Sequence, residues 1–288
     1  MTSGSRPPEG LCLIDKPGGM TSHDVVDAVR QALSTRKVGH AGTLDPMATG
    51  LLLIGVGRAT RLLRFLSALP KTYEGTMRLG ARTSTLDADG DITMEAPVAA
   101  TEDDVRRAVS SMVGGFTQRP PAFSAVKVGG RKLYEAASEG LELRAEPRPI
   151  QVDAFDVERF DGRDVDFRVT CSAGTYVRVL AADVGEVLGC GAHLTRLRRT
   201  RIGQFEVDDA SSPEGPGSPL PVERAVAHLP RLDLGHEEAI AASHGRPLGP
   251  AGIAGPYGVF SPDGRLVGVY EDDGAKARPK VILARTET

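Results

Sequence analysis

Asp45 lies in the run GHAGTLDPMATGLLLIGVGRATR, where Gly, Thr and Pro crowd around one acid just ahead of an unbroken apolar stretch. A turn would hold that carboxylate and the core would back it. Such a group can act as a fixed nucleophile and form a covalent intermediate. Asp-Pro is also an ordinary turn pair, so the neighbours must decide. Gly39, Gly42 and Gly50 would let a ligand approach the backbone closely, and His40 stands just upstream. No Lys or Arg lies in the immediate run, so a buried Asp45 needs a cation from elsewhere. Arg178, in GTYVR, is the candidate. It falls in the first turn of a predicted helix, where the dipole favours anions, so a cation held there points to a specific acidic partner. Tyr73, in KTYEG, falls on a predicted strand, where a tyrosine is ordinarily core with its hydroxyl satisfied at the edge.

Other chemistries fail on spacing. LDADGDI hints at a calcium loop, but counting from Asp87 the sixth position is Ile92 rather than Gly and the twelfth is Val98 rather than Glu. GTLDPMATG lacks the GK[ST] ending of a phosphate loop. No dinucleotide fingerprint and no HExxH occurs. Cys12, Cys171 and Cys190 are scattered without a CxxC pair and read as buried thiols. No cofactor and no metal is therefore expected.

The chain of 288 residues is 40% hydrophobic and 25% charged, as soluble globular proteins are. No apolar run can span a bilayer and the first residues carry no apolar signal core, so a cytoplasmic protein is expected. A net charge of −3 argues against binding nucleic acid by bulk charge, yet leaves room for a local basic groove. Arg196, Arg198, Arg199 and Arg201 form one cluster, and Arg58, Arg61 and Arg64 recur on a predicted helix. Charge runs are most often solvated faces. These two flank the candidate site in sequence while the acidic stretches lie elsewhere, which suggests a phosphate track.

Several elements must position these residues. GLCLIDK reads as a strand, and Thr21 with Asp24 forms a capping box for a helix bearing Val26, Val29 and Leu33. LLLIGVG is a buried strand, RATRLLRFLSAL a helix, and KTYEGTMRLGART a strand. Thr101 with Asp104 caps a second helix, with Gly114 at its C′ position. VDFRVTCSAG alternates as a half-buried strand, TYVRVLAADVGEVLG is a helix ending at Gly189, and LTRLRRTRIGQFEV returns to strand. DDASSPEGPGSPLP has linker composition. YGVFSPDGRLVGVYEDD follows as two strands around a Pro-Asp-Gly turn. The expected fold is α+β: a large mixed sheet with helices over residues 1–208, a connecting segment over 209–231, and a small β-rich, barrel-like module over 232–288.

With those residues assembled, the chain closely resembles the bacterial TruB family, the tRNA pseudouridine-55 synthases. The segments that carry the resemblance are LIDKPGGMTSHDVV, GHAGTLDPMATGLLLIGVGRATR, KTYEGTMRLGARTSTLDADG, QRPPAFSAVKVGGRKLYEAA and CSAGTYVRVLAADVGEVLGCGAHLTRLRRTRIGQF. The resemblance implies a pseudouridine synthase fold with a mainly antiparallel mixed sheet and a PUA-like tail, here similar to the module of high-GC actinobacterial members. It implies Asp45 as the catalytic aspartate, Tyr73 as the residue stacking on the target base and a candidate proton-removing base, and Arg178 as the partner of the carboxylate. It further implies Leu197 as an apolar contact to uracil and His40 as a filler of the space around displaced loop bases. Lys16 and Pro17 match a motif supporting the cleft, Asp87 a polar contact near the target nucleotide, and Tyr176 an aromatic neighbour.

Pseudouridine formation breaks the N1–C1′ bond of a uridine and rejoins the base through C5, without redox change or net hydrolysis. Asp45 would attack C1′ or C6, or assist a glycal route, and the sequence leaves those open. The target base must be flipped out of the T-arm stem-loop, against which Arg198 and Arg199 are expected to contact phosphates. The alternatives are a non-catalytic RNA-binding or tRNA-folding module, a guide-dependent synthase, and an Asp-nucleophile glycosidase with Asp87 as the second carboxylate. No coiled coil or interface stripe appears, so a monomer that needs no protein partner is expected.

Overall fold

A computed structural model describes residues 8–283. The chain opens with β1 (Gly10–Lys16), α1 (Ser22–Ala32), β2 (Val38–His40) and β3 (Thr49–Val56). Next come α2 (Leu63–Ser67), β4 (Lys71–Leu79), β5 (Ala81–Thr83), β6 (Ile92–Glu95), α3 (Glu102–Ser110) and β7 (Gly114–Gln118). A small unit of β8 (Lys127–Val128), β9 (Arg131–Lys132) and α4 (Leu133–Ser138) precedes the long pair β10 (Arg148–Phe160) and β11 (Asp164–Cys171). Then follow α5 (Val177–Val187), β12 (Ala192–Ile202) and β13 (Phe205–Glu206). The last elements are β14 (Arg231–Asp233), α6 (His236–Ser243), β15 (Pro256–Phe260), β16 (Leu266–Asp273) and β17 (Lys276–Ile282).

Nine strands form one sheet in the order β1-β3-β12-β4-β11-β10-β7, with β2 beside β3 and β13 beside β12. Every pairing is antiparallel except β12 with β3, so the sheet is mixed and mainly antiparallel, as expected. The solid apolar run of β3 is explained by burial on both faces. Leu52 and Ile54 pack with Cys12 and Ile14 of β1 against Val25, Val26 and Val29 of α1. Leu51 and Leu53 face the other way, into a core shared with Phe205, Phe260, Leu266 and Val269. The third cluster lies around Phe167 and Met77, covered by Val105 of α3 and Leu180 of α5.

The Thr21 and Thr101 capping boxes form as predicted, Asp24 and Asp104 closing them. Gly189 does follow α5 in the left-handed region, at φ +71°. Three local expectations change. Gly114 opens β7 rather than ending α3, which stops at Ser110. The predicted helix after β3 is a 3₁₀ turn over Gly57–Leu62 followed by the short α2. The linker-like stretch is not a free tether: Leu11 and Leu220 exchange backbone hydrogen bonds of 3.0 and 2.8 Å, and Ser211 bridges Leu13 and Asp15. It covers the free edge of β1, which would otherwise leave a row of open donors and acceptors.

Gly50 sits where β3 meets β12, with φ +103°, and a Cβ there would stand 2.3 Å from the Arg199 carbonyl oxygen. Here close approach serves the protein's own backbone rather than a ligand. Gly50→Ala should therefore lose about 2–4 kcal/mol in urea unfolding, combining left-handed strain with a clash against backbone. Gly264→Ala, with φ +79° but open space around it, should lose only about 1 kcal/mol.

Candidate active site

Asp45 lies in the irregular segment between β2 and β3, and the sheet centre supplies what holds it. Carbonyls and an amide of this segment are tied to three other elements. Arg199 of β12 donates to the carbonyls of Gly42 and Thr43, both at 3.4 Å, and its Nε donates to Leu51 O at 2.7 Å. Ser22, at the start of α1, accepts from Leu44 N at 2.9 Å and donates to Leu44 O at 3.2 Å. Asp45 O accepts from Ala48 N. Lys16 Nζ, at the end of β1, donates to Pro46 O at 3.1 Å and to Pro17 O and Met20 O at 2.9 and 2.7 Å. A segment without regular structure is thereby made rigid, which a positioned nucleophile requires.

Arg178 Nη2 donates to Asp45 Oδ1 at 3.1 Å, and its Nη1 lies 3.7 Å from Asp87 Oδ2. The arginine is 5% exposed and sits in the first turn of α5, as the sequence suggested. Gln118, buried on β7, fixes that helix start: its side chain accepts from Tyr176 N at 2.8 Å and donates to Tyr176 O at 3.2 Å. Tyr176 places its ring 5.9 Å from the Arg178 guanidinium carbon, at the outer range of a cation–π contact. Asp87 is buried in a loop locked by Thr85 Oγ1 and Asp89 N, both donating to its Oδ1. The preceding Leu86 has φ +66°, a conformation a branched side chain adopts only when its surroundings enforce it.

These groups line a single cleft of about 990 Å³, with Asp45, Asp87, Tyr73, Tyr176, Arg178, His40, Leu197 and Arg199 in its wall. Among the described residues the buried charged side chains are Lys16, Lys71, Asp87, Arg178 and Arg199. Four line this cleft, and Lys16 holds Pro46 in its wall. Burying charge is costly, so its concentration at one concavity marks a site. Three buried side-chain atoms without a partner also belong to cleft residues: His40 Nδ1, Ser124 Oγ and Arg178 Nε. Unmet groups of this kind suit a polar ligand.

The local field is uneven. Asp45 keeps 37% of its side-chain surface exposed, yet the cleft walls shut out bulk solvent from most directions. That loss of solvation raises its pKa above the ordinary carboxylate value, with Arg178 opposing and Asp87 and Asp89 reinforcing the rise. Burial pushes the Lys16 amine down to about 8, against the pull of Asp45. Burial likewise raises the Tyr73 phenol, opposed by the neighbouring Arg199, and lowers His40.

The structure corrects the expected phosphate track. Arg199 is 1% exposed and spends its donors on three carbonyls, so it is not a surface phosphate contact. Arg198 is already paired in a fork with Asp15 at 2.7 and 2.9 Å. Neighbouring strand residues face opposite sides, so 198 and 199 cannot form one track. Arg58 bonds Glu9 and Leu283 O, Arg61 bonds Ile282 O, and Arg64 lies over the Phe65 ring. The first two arginines tie the end of the chain to the β3 side of the sheet. Ser22 and Gln118 escaped the sequence reading, because each acts across the fold on a partner that no local spacing marks; Lys71 escaped it because its bonds go to the nearby carbonyls of Ser67 and Leu69.

A nine-stranded mixed sheet carries a carboxylate–arginine pair and a tyrosine in one cleft, and known proteins bear on its class. Residues 30–177 match the TruB family pseudouridylate synthase N-terminal domain. Residues 178–213 match the tRNA pseudouridylate synthase B C-terminal domain, and 229–284 the tRNA pseudouridine synthase II C-terminal domain. The chain is 47% identical to the tRNA pseudouridine synthase B of Mycobacterium sp. strain KMS over 95% of its length and 96% of the relative's. It is 45% identical to that of Mycobacterium tuberculosis over 95% of each. Among solved structures, an archaeal box H/ACA Nop10–Cbf5 complex matches with TM-score 0.75 at 27% identity, covering 97% of this chain and 88% of the other. A Cbf5–Nop10–Gar1 complex matches with TM-score 0.73 at 30% identity, covering 96% and 85%. The chain belongs to the TruB family of pseudouridylate synthases.

Ser22→Ala would strand the Leu44 amide in a buried place. It should cost about 1–3 kcal/mol in denaturant unfolding and loosen the Asp45 segment, read as faster amide exchange over residues 42–46.

Proposed function

We propose that this protein isomerises uridine 55 in the T-loop of tRNA to pseudouridine, with Asp45 as the residue that engages the sugar or base. The observation that carries this reading is the Asp45–Arg178 pair at 3.1 Å, inside the one cleft where the buried charges gather. Tyr73 offers its ring to the flipped uracil and Leu197 an apolar contact. His40, with an unpartnered Nδ1, occupies space that flipped bases vacate. Asp87 and Tyr176 hold Arg178 from its other sides, and Lys16 fixes the segment on which Asp45 rides. The partner is the T-arm stem-loop of tRNA, bound by a monomer in the cytoplasm. Residues 232–288 act as an RNA-gripping module packed on a catalytic unit of 1–208, with 209–231 between them.

Purified protein should place a carbodiimide-dependent primer-extension stop at the T-loop uridine of an unmodified tRNA transcript, without added cofactor. Asp45→Asn should abolish it. A stop that survives in that variant would remove Asp45 from the chemistry.

Asp45 works as an anion, and its pKa is raised, so activity is lost as pH falls through that raised value. The acid limb of kcat/KM should therefore lie above 3.8, the ordinary value. Arg178→Gln removes the opposing cation. It should move the limb to higher pH and lower the plateau about a hundredfold; an unmoved limb would uncouple the pair.

Phosphate contacts fall to cations without acidic partners. Arg148, exposed at the cleft wall, and Lys127 on β8 engage no such partner among the described residues. Replacing both with Ala should weaken stem-loop binding about tenfold at moderate salt and flatten the log Kd against log salt slope by about two. Arg198→Ala should leave that slope nearly unchanged.

A further inference from the structure

Lys16, Lys71 and Arg199 are buried cations with no carboxylate within ion-pair distance among the described residues. Their side chains donate to backbone carbonyls: Lys71 Nζ donates to Ser67 O at 2.5 Å and Leu69 O at 2.6 Å. Of the carboxylates at the site, Asp45 and Asp87 lean on Arg178 instead. The cleft is thus polarised, with an acidic wall at Asp45 and Asp87 and a cationic patch elsewhere.

Strand geometry locates that patch. Lys71 and Tyr73 are two residues apart on β4, and Arg199 is the register partner of Tyr73 on β12, with Leu197 two residues before it. Residues two apart share a face, and directly opposed residues do too. All four line the cleft. The base platform and the apolar contact of the proposed reaction therefore share their floor with two unneutralised cations. Burial and the neighbouring Arg199 push the Lys71 amine down to about 8.

We infer that Lys71 and Arg199 form an electrostatic floor that stabilises the negative charge developing on the uracil as its glycosidic bond breaks; this rests on the uridine-isomerising reading above. When N1–C1′ breaks, its electron pair leaves with the base as a uracil anion spread over O2 and O4. C1′ is taken up by the Asp45 carboxylate, or its charge is discharged by loss of the C2′ proton. Rejoining forms C1′–C5 as the Asp45–C1′ bond breaks, or as the proton returns to C2′; the C5 proton is lost and N1 takes up a proton, so the base is isomerised and no further reactant is needed. Fixed charges aimed at developing charge in a dry site act without reorganisation. The acidic wall then faces the electron-poor sugar and the cationic floor faces the electron-rich base.

The test compares single-turnover consumption of a T-arm stem-loop carrying uridine with one carrying 5-fluorouridine at the target, whose more acidic base is the better leaving group. Lys71→Met keeps the stem and removes the charge. It should slow the uridine substrate about a hundredfold and the fluorinated one at least tenfold less, with stem-loop Kd unchanged. Lys71→Arg should recover most of the rate, and Arg199→Lys should behave alike if it stays folded by its melting curve. Equal slowing of both substrates would make the floor merely structural and overturn the inference. A weakened, less salt-dependent Kd with an unchanged bound-state rate would overturn it in favour of a phosphate contact. Wild-type protein that consumes neither substrate would instead overturn the isomerase reading itself.

Discussion

Charge taken out of water beside the middle of a nine-stranded sheet is the constraint on which the rest of the structure depends. Arg178, a guanidinium at 5% exposure, needs acceptors. Asp45, Asp87 and the Thr85 carbonyl supply them. Those acceptors stand on two loops, Asp45 on one and Thr85 and Asp87 on the other, so both loops must be fixed. That requirement accounts for the clamps of Ser22, Lys16 and Arg199 on residues 42–46 and for the strained Leu86 beside Asp87. The pair is not optimised for the resting protein, since burial still raises Asp45 above its ordinary pKa. Such residual cost is expected where structure serves reactivity more than stability.

What could be read from the sequence follows the range of the physics. Capping boxes, alternating strands and the glycine after α5 depend on residues a few positions apart, and these were legible. Asp45 and Arg178 were legible as candidates because each sat in an unusual context; Tyr73 read by itself as an ordinary strand tyrosine and stood out only through the family resemblance, and the cleft does bring the three together. The arginine run 196–201 misled because its spacing was read as a cluster. A strand separates neighbours by face, so Arg199 turns inward while Arg198 meets Asp15 at the surface. Gln118 and Ser22 were silent because their partners lie 58 and 22 residues away. Lys71 read as an ordinary strand residue beside Tyr73.

The C-terminal part is bound to the same elements that carry the nucleophile. The stretch 211–220 pairs along β1, whose last residue is Lys16. Arg58 and Arg61, just after β3, reach the carbonyls of Leu283 and Ile282 at the far end of the chain. Phe260, Leu266 and Val269 share a core with Leu51 and Leu53 of β3. The Asp45 segment thus enters β3 from a hairpin held on both faces and at its edge. A serine- and proline-rich stretch that composition marks as a tether serves here as an edge strand's cover, because an open β1 edge would leave backbone groups unpaired. Rigidity at the carboxylate is consequently a property of both the N-terminal strand and the C-terminal part, and loosening the tail–β1 contact would be felt at Asp45 through Lys16 and its hold on Pro46.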